Sequence, residues 1–231
     1  IDEMAEEQEN TDWNNDVYIS GYSQGGWSTM ALQKAIETQY AGEFNLKASA
    51  CGAGPYNLIT INEYVTGLQE YAQPYFFGYI FNSYLNLGMS SPISDVFQAP
   101  YAEKIPTLFD GTNSGTEIND ELTKTVASLF TPEYLTASNT KEVYAPLQSM
   151  LEENSVTAWK TEIPTLIVHG MEDDFVTRQV SSNLYQNFLA EGSAIDDVTW
   201  MPLPGLNHQT GIIPSGLTSL AWFLQLKQEN I

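Results

Sequence analysis

Residues 17–36, VYISGYSQGGWSTMALQKAI, change hydrophobic period within one short turn. Residues 17–20 are an apolar, β-rich run, the pattern of a strand buried on both faces. From Gln24 the apolar residues Trp27, Met30, Ala31, Leu32, Ala35 and Ile36 fall on helical spacing as far as Tyr40. Two glycines around a serine separate the two periods. Strand, sharp turn and helix in that order are the repeating unit of a parallel sheet covered by helices.

The rest of the chain repeats that unit with one long interruption. LKASACGAGP at 46–55 reads as a second buried strand ending in a Gly/Pro loop. Residues 55–163 are rich in aromatics, Asn and Pro, with broken helical patterns near 64–73, 75–87, 121–129 and 141–153. DGTNSGTEIND at 110–120 reads as a loop. Alternation resumes at 164, where PTLIVHG is a buried strand. Val176, Val180, Leu184 and Phe188 then recur every fourth residue, with Gly192 placed to cap that helix. DVTWMPLPG at 197–205 reads as a fourth strand, and Leu217, Leu220, Ala221 and Leu224 as the apolar face of a last helix. Residues 1–16 hold seven acids and no base, the pattern of a short solvated helix and a turn. The expected fold is α/β, with core segments 1–54 and 164–231 and a helical lid or cap at 55–163.

Charge and cysteine usage exclude several classes. Acids outnumber bases 29 to 8, a net charge of −21. Nucleic acid needs a basic footprint and is excluded as a partner; an anionic membrane surface is disfavoured. Cys51 is the one cysteine, so there is no intrachain disulfide and no zinc cluster. No apolar run reaches the roughly 18 residues of a membrane span. The chain opens on Ile1 with no visible signal peptide, which is compatible with a removed signal.

Gly21-Tyr22-Ser23-Gln24-Gly25 matches G-x-S-x-G. The motif lets a serine take a strained turn between strand and helix and aim its hydroxyl outward. Ser23 is therefore the candidate nucleophile, and the Gln24 N–H a candidate oxyanion donor. A serine needs a base, and the chain has two histidines. His208, in PLPGLNHQTG after the last strand, is placed to reach over the carboxyl ends of the sheet. His169 ends the third strand and is read as structural. The base needs an orienting carboxylate. HGMEDDFV offers Glu172, Asp173 and Asp174 just past a strand end; Asp173 is the choice and Asp174 the next. Asp196 and Asp197 precede a strand, at the wrong end of the sheet. This chemistry requires no cofactor and no metal.

The order Ser23, Asp173, His208 is that of the α/β-hydrolase triad, and the chain resembles that superfamily from the nucleophile strand to the last helix. GYSQGG is similar to the turn of secreted lipases and cutinases. PTLIVHGMEDDFV resembles the H-G-x-x-D-x-x-V segment that carries the acid in many esterases and lipases, which puts the acid on Asp173. GPYNL at 54–58 and the helical insertion resemble the secretory lipase group in particular, whereas cutinases lack a large lid and rely on disulfides. The resemblance implies a secreted or periplasmic serine esterase or lipase acting on a small-molecule or lipid ester. Tyr71, Tyr75, Phe76, Phe77, Tyr79, Phe81 and Tyr84 crowd one segment of the insertion. They read as lid core, as an acyl-binding wall, or as both; the substrate-binding candidates are Tyr22, Tyr75, Phe76 and Tyr79. Two other readings stay open: a prolyl-oligopeptidase-like serine peptidase, and a catalytically inactive hydrolase-fold binding protein.

In an α/β-hydrolase several strands precede the nucleophile. Here 22 residues do. The expectation is the C-terminal part of the fold, about four strands with the nucleophile strand at an open edge. An N-terminal segment or chain would complete the sheet and carry the second oxyanion donor.

Overall fold

The computed structural model describes residues 15–229. The acidic helix expected near the start falls outside them. Two compact units are present: one runs to Tyr56 and again from Val156, the other is Asn57–Ser155.

In chain order the first elements are β1 (Asp16–Tyr22), α1 (Gln24–Thr38) and β2 (Asn45–Gly52). The helical stretch follows: α2 (Leu58–Thr66), α3 (Pro74–Asn86), α4 (Ile93–Val96), α5 (Tyr101–Leu108), α6 (Gly115–Glu121), α7 (Val126–Leu129), α8 (Pro132–Ala137) and α9 (Ala145–Glu153). The chain then makes β3 (Thr165–Gly170), α10 (Gln179–Ala190), β4 (Val198–Leu203) and α11 (Ile212–Glu229).

The first unit is a parallel sheet in the order β1-β2-β3-β4. Tyr22 pairs with Gly52, Gly52 with Val168, and Gly170 with Leu203, so the carboxyl ends of all four strands share one edge. All six residues of β3 are buried, as a central strand covered on both faces requires. The expectation of a β1 buried on both faces is corrected: none of its residues is fully buried, and Tyr18 and Ser20 are exposed. Its position at the end of the sheet is the reason, since among the described residues only β2 flanks it.

The last helix also differs from expectation. Leu217, Leu220 and Leu224 do not face the sheet. With Ile213 they form an outward row, each residue more than half exposed. The inward face carries Ser215 and Ser219, both buried, and Trp222 and Phe223, which pack against Ala50, Leu166 and Val168. The helix is apolar on two sides, and larger rings decide which side meets the core. The cap expected at Gly192 is present: its φ is +94°, and Gly192 N–H and Ser193 N–H bond back to Leu189 and Phe188.

The second unit is helical and built around aromatic rings. Phe77, Phe81, Phe97, Phe130, Tyr134 and Tyr144 meet at centroid distances of 5.1 to 6.4 Å. The Tyr134 hydroxyl donates to Asn62 Oδ1 at 2.7 Å, which satisfies both buried groups. The helix expected at 64–73 ends instead at Thr66, before Gly67. The loop expected at 110–120 becomes helical from Gly115, because Ser114 and Glu117 form a capping box. The helix expected at 121–129 is confined to α7.

Candidate active site

β1 delivers Ser23 at the moment the chain turns into α1. Ser23 has φ 59° and ψ −125°, a conformation a side chain rarely adopts. Its own N–H donates to Gly52 O at 2.8 Å, so β2 holds the turn in place. Gly21 is required by space: a Cβ there would lie 2.2 Å from the Gly25 carbonyl oxygen. At Gly25 itself a Cβ would meet nothing within 4 Å, whereas at Gly26 it would lie 2.3 Å from the Gly52 carbonyl oxygen, so Gly21 lets β1 approach α1 and Gly26 lets β2 do so. Trp27 N–H makes α1's first own hydrogen bond, to Ser23 O at 3.1 Å. The N–H groups of Gln24, Gly25 and Gly26 therefore lack an intrahelical acceptor, as helix starts do.

His208 comes from the loop after β4. Asn207 and Thr210 exchange hydrogen bonds that close this loop on itself. The Tyr22 hydroxyl donates to His208 O at 2.6 Å. The Phe175 and Tyr22 rings lie 5.1 and 5.2 Å from the imidazole, which is itself buried.

Asp173 lies in the loop after β3. That loop and the histidine loop run backbone against backbone, with Glu172 N–H on Leu206 O at 3.0 Å. The side chain of Asp173 is fully buried, whereas Asp174 is exposed. Asp173 Oδ1 accepts from the N–H groups of Phe175 and Val176 at 3.0 and 2.8 Å. Burial by itself raises the Asp173 pKa. Hydrogen bonds from His169 and His208, the His208 charge and the Val176 N–H outweigh it and hold the carboxyl well below the usual carboxylate range.

The three side chains meet. His208 Nδ1 is 2.7 Å from Asp173 Oδ2, and His208 Nε2 is 2.9 Å from Ser23 Oγ. A carboxylate only accepts, so Nδ1 carries the hydrogen and Nε2 is free to accept from the serine hydroxyl. Such an array can draw a proton from Ser23 while Asp173 compensates the charge that appears on the ring.

The substrate-binding candidates are placed differently from one another. Tyr22 has its hydroxyl committed to the His208 carbonyl, and burial, then the nearby Asp173 charge, push its pKa up. In the helical unit, Tyr71, Phe77, Phe81 and Tyr84 are buried in the core. Tyr75 and Phe76 are half-buried with rings 4.4 Å apart, and Tyr79 is exposed. Sequence reasoning gave His169 no part in the site, yet its Nε2 lies 3.2 Å from Asp173 Oδ2. The i, i+4 spacing of His169 and Asp173 was the available signal. Among the described residues no cluster of His, Cys, Asp and Glu is arranged to hold a metal.

The parallel sheet, its helices and the chain order of these residues define an α/β-hydrolase. The chain belongs to the secretory lipase family, whose sequence profile matches residues 5–227. It is similar to the rice cell wall degrading esterase LipA from Xanthomonas oryzae, at 25% identity and a TM-score of 0.77 over 98% of this chain. A protein from Legionella pneumophila superimposes with a TM-score of 0.83 at 22% identity, over 99% of this chain and 61% of that one. Candida antarctica lipase A in its closed state gives 0.67 at 20% identity, over 96% and 51% of the two chains. This chain spans 61% of the length of the Xanthomonas esterase. No protein with a curated description matches it by sequence.

Proposed function

We propose that this chain carries the reacting groups of a carboxylic ester hydrolase of esterase or lipase type, working through a Ser-His-Asp triad and an acyl-enzyme. The observation that carries the reading is the unbroken hydrogen-bonded line from Ser23 Oγ through His208 to Asp173, at 2.9 and 2.7 Å. Ser23 attacks the ester carbonyl as His208 Nε2 takes its proton. The oxyanion faces the Gln24 N–H at the positive end of α1. Collapse expels the alcohol, which receives the proton back from His208. Water, deprotonated by the same imidazole, then frees the carboxylic acid. Asp173 stays ionised throughout and holds the ring.

The substrate is proposed to be a small-molecule or lipid ester. Within the helical unit, Tyr75, Phe76 and Tyr79 are the proposed acyl contacts, being rings of the aromatic segment that its core leaves partly exposed. Membership of a secretory family supports export, and no described helix is long and apolar enough to cross a membrane. A further strand and helix, from an N-terminal segment or a separate chain, are proposed to pair with β1 and cover the α11 row. The position of β1 at the sheet's end and the exposure of Ile213, Leu217, Leu220 and Leu224 support this.

Fluorophosphonate labelling with mass spectrometric mapping, beside hydrolysis of p-nitrophenyl esters of stepped acyl length, tests the reading. The expected result is an adduct on Ser23, with labelling and turnover both lost in Ser23→Ala and His208→Ala. An adduct elsewhere, or ester turnover that survives Ser23→Ala, overturns it. Faster cleavage of peptides than of esters would favour a peptidase instead.

A further inference from the structure

We propose that Asp173 is the meeting point of two Ser–His arms, the reactive Ser23–His208 arm and a buried Ser181–His169 arm, and that His169 is a positioning residue for the acid. The inference rests on the triad reading above and extends it to two residues outside the triad.

The contacts assign the hydrogens. His169 Nε2 lies 3.0 Å from Val176 O and 3.2 Å from Asp173 Oδ2. A carbonyl and a carboxylate are both acceptors, so Nε2 must bear a hydrogen, which bonds to Val176 O and lies beside Oδ2. His169 Nδ1 lies 2.6 Å from Ser181 Oγ. Among the described residues the Ser181 hydroxyl has no other side-chain or carbonyl partner, so its hydrogen points to Nδ1 and the ring holds its own on Nε2. The arm mirrors the reactive one: in each, a serine O–H donates to an imidazole whose other N–H lies beside Oδ2 of Asp173, hydrogen-bonded at 2.7 Å in the reactive arm and in contact at 3.2 Å in the buried one. The tautomers are opposite, Nε2–H in His169 and Nδ1–H in His208.

Solvent access separates the arms. Ser181 and His169 are fully buried, and Ser181 sits in regular helix α10. No substrate reaches it, and no turn aims its hydroxyl outward. Ser23 is partly exposed on its strained turn. The buried arm therefore does no chemistry.

Its effect falls on the carboxylate. Asp173 receives three hydrogen bonds, two from backbone N–H groups on Oδ1 and one from His208 on Oδ2, and the His169 N–H edge lies 3.2 Å from the same Oδ2. With His169 in place, each of the two oxygens has two N–H groups beside it. Oδ1 is tied to its own loop, and His169 fixes the plane in which Oδ2 meets His208. Without His169, the bond from His208 is, among the described residues, the one contact left to place Oδ2.

Two histidines in the chain make the test direct. The full chain, labelled with 15N at histidine, is expected to show one ring protonated on Nε2 and one on Nδ1 in long-range 1H–15N spectra, assigned with His169→Gln. A bare His169 Nε2 overturns the proposal without any variant having to fold. Kinetics give the second readout. His169→Leu lowers kcat on the order of tenfold, the range seen when partners that orient a functional histidine are removed, with KM within about twofold. It also shifts the His208 Nδ1–H resonance. His169→Gln, which keeps a donor near the Nε2 position, recovers part of both. A folded His169→Leu with unchanged kcat and an unmoved resonance overturns the positioning role. Opposite tautomers in a wild-type chain that turns over no ester would support the arm and count against the hydrolase reading.

Discussion

The Tyr22 hydroxyl donates a 2.6 Å hydrogen bond to the backbone carbonyl of His208, so the residue before the candidate nucleophile holds the loop of the candidate base. Strand β1 thus positions both candidate groups, one through its turn and one through a side chain.

Tyr22→Phe separates positioning from substrate binding. It removes the donor and leaves the His208 carbonyl unpaired, a loss of about 1 kcal/mol in stability. If Tyr22 positions His208, kcat falls by about tenfold and KM stays put. A rise in KM at constant kcat would instead mark Tyr22 as a substrate contact. Steady-state kinetics on a homologous ester series decide it.

The two glycines of the turn are expected to respond unequally to alanine. Gly21→Ala drives a Cβ to 2.2 Å from the Gly25 carbonyl and 2.7 Å from Thr29 Oγ1. Backbone cannot yield as a side chain can, so a destabilisation of about 1–3 kcal/mol or more follows, together with loss of Ser23 labelling. Gly25→Ala meets nothing within 4 Å. It lies inside α1, where alanine is favoured over glycine by about 1 kcal/mol. Its melting temperature should equal or exceed that of the wild type. Melting curves of the two variants check the asymmetry, and equal destabilisation would contradict it.

The parts of the fold legible in the sequence are those where one physical demand acts alone. TLIVHG reads as a strand because a central parallel strand is apolar on both faces, and Gly192 reads as a cap because its φ of +94° suits glycine. The α11 row misled because that helix is apolar on two sides, and no local rule says that Trp222 and Phe223 outrank Leu217 and Leu220 for the core. The exposure of β1 was obscured by the opposite ambiguity: an apolar run shows that a strand wants cover, not that cover is present. Ser23, Asp173 and His208, which the structure brings within hydrogen-bonding distance, were legible as candidates because each sits just past a strand end. The His169 contact left only an i, i+4 spacing in the sequence, because it depends on how the Asp173 loop curls back toward β3 after Gly170.

Cys51 is expected to be inert in the folded protein. It is fully buried in β2; burial pushes its thiol up to about 12, and the Ser49 hydrogen bond opposes this only in part. The thiolate is the reactive species, so a thiol held protonated and out of solvent does not react. Ellman's reagent at pH 8 should titrate no thiol in the native chain and one after denaturation. Rapid native reaction would mean that β2 opens to solvent.

Asp173→Asn tests both the tautomer and the electrostatics of the acid. An amide nitrogen beside His208 Nδ1 forces the ring to accept there and to carry its hydrogen on Nε2, where it can no longer take the proton of Ser23. A loss in kcat of order 10⁴ is expected. Stability carries a separate signature. The folded-state pKa of Asp173 lies well below its ordinary value, so the ionised group favours the native state above the unfolded pKa, and that contribution is lost as pH falls toward the folded pKa. The stability difference between wild type and Asp173→Asn should therefore be flat from neutral pH to about pH 5 and should narrow below about pH 4, where the unfolded carboxyl takes up its proton first. Urea unfolding at stepped pH measures it. A difference that already narrows at pH 6 would mean that the two imidazoles and two backbone N–H groups fail to hold the carboxyl ionised.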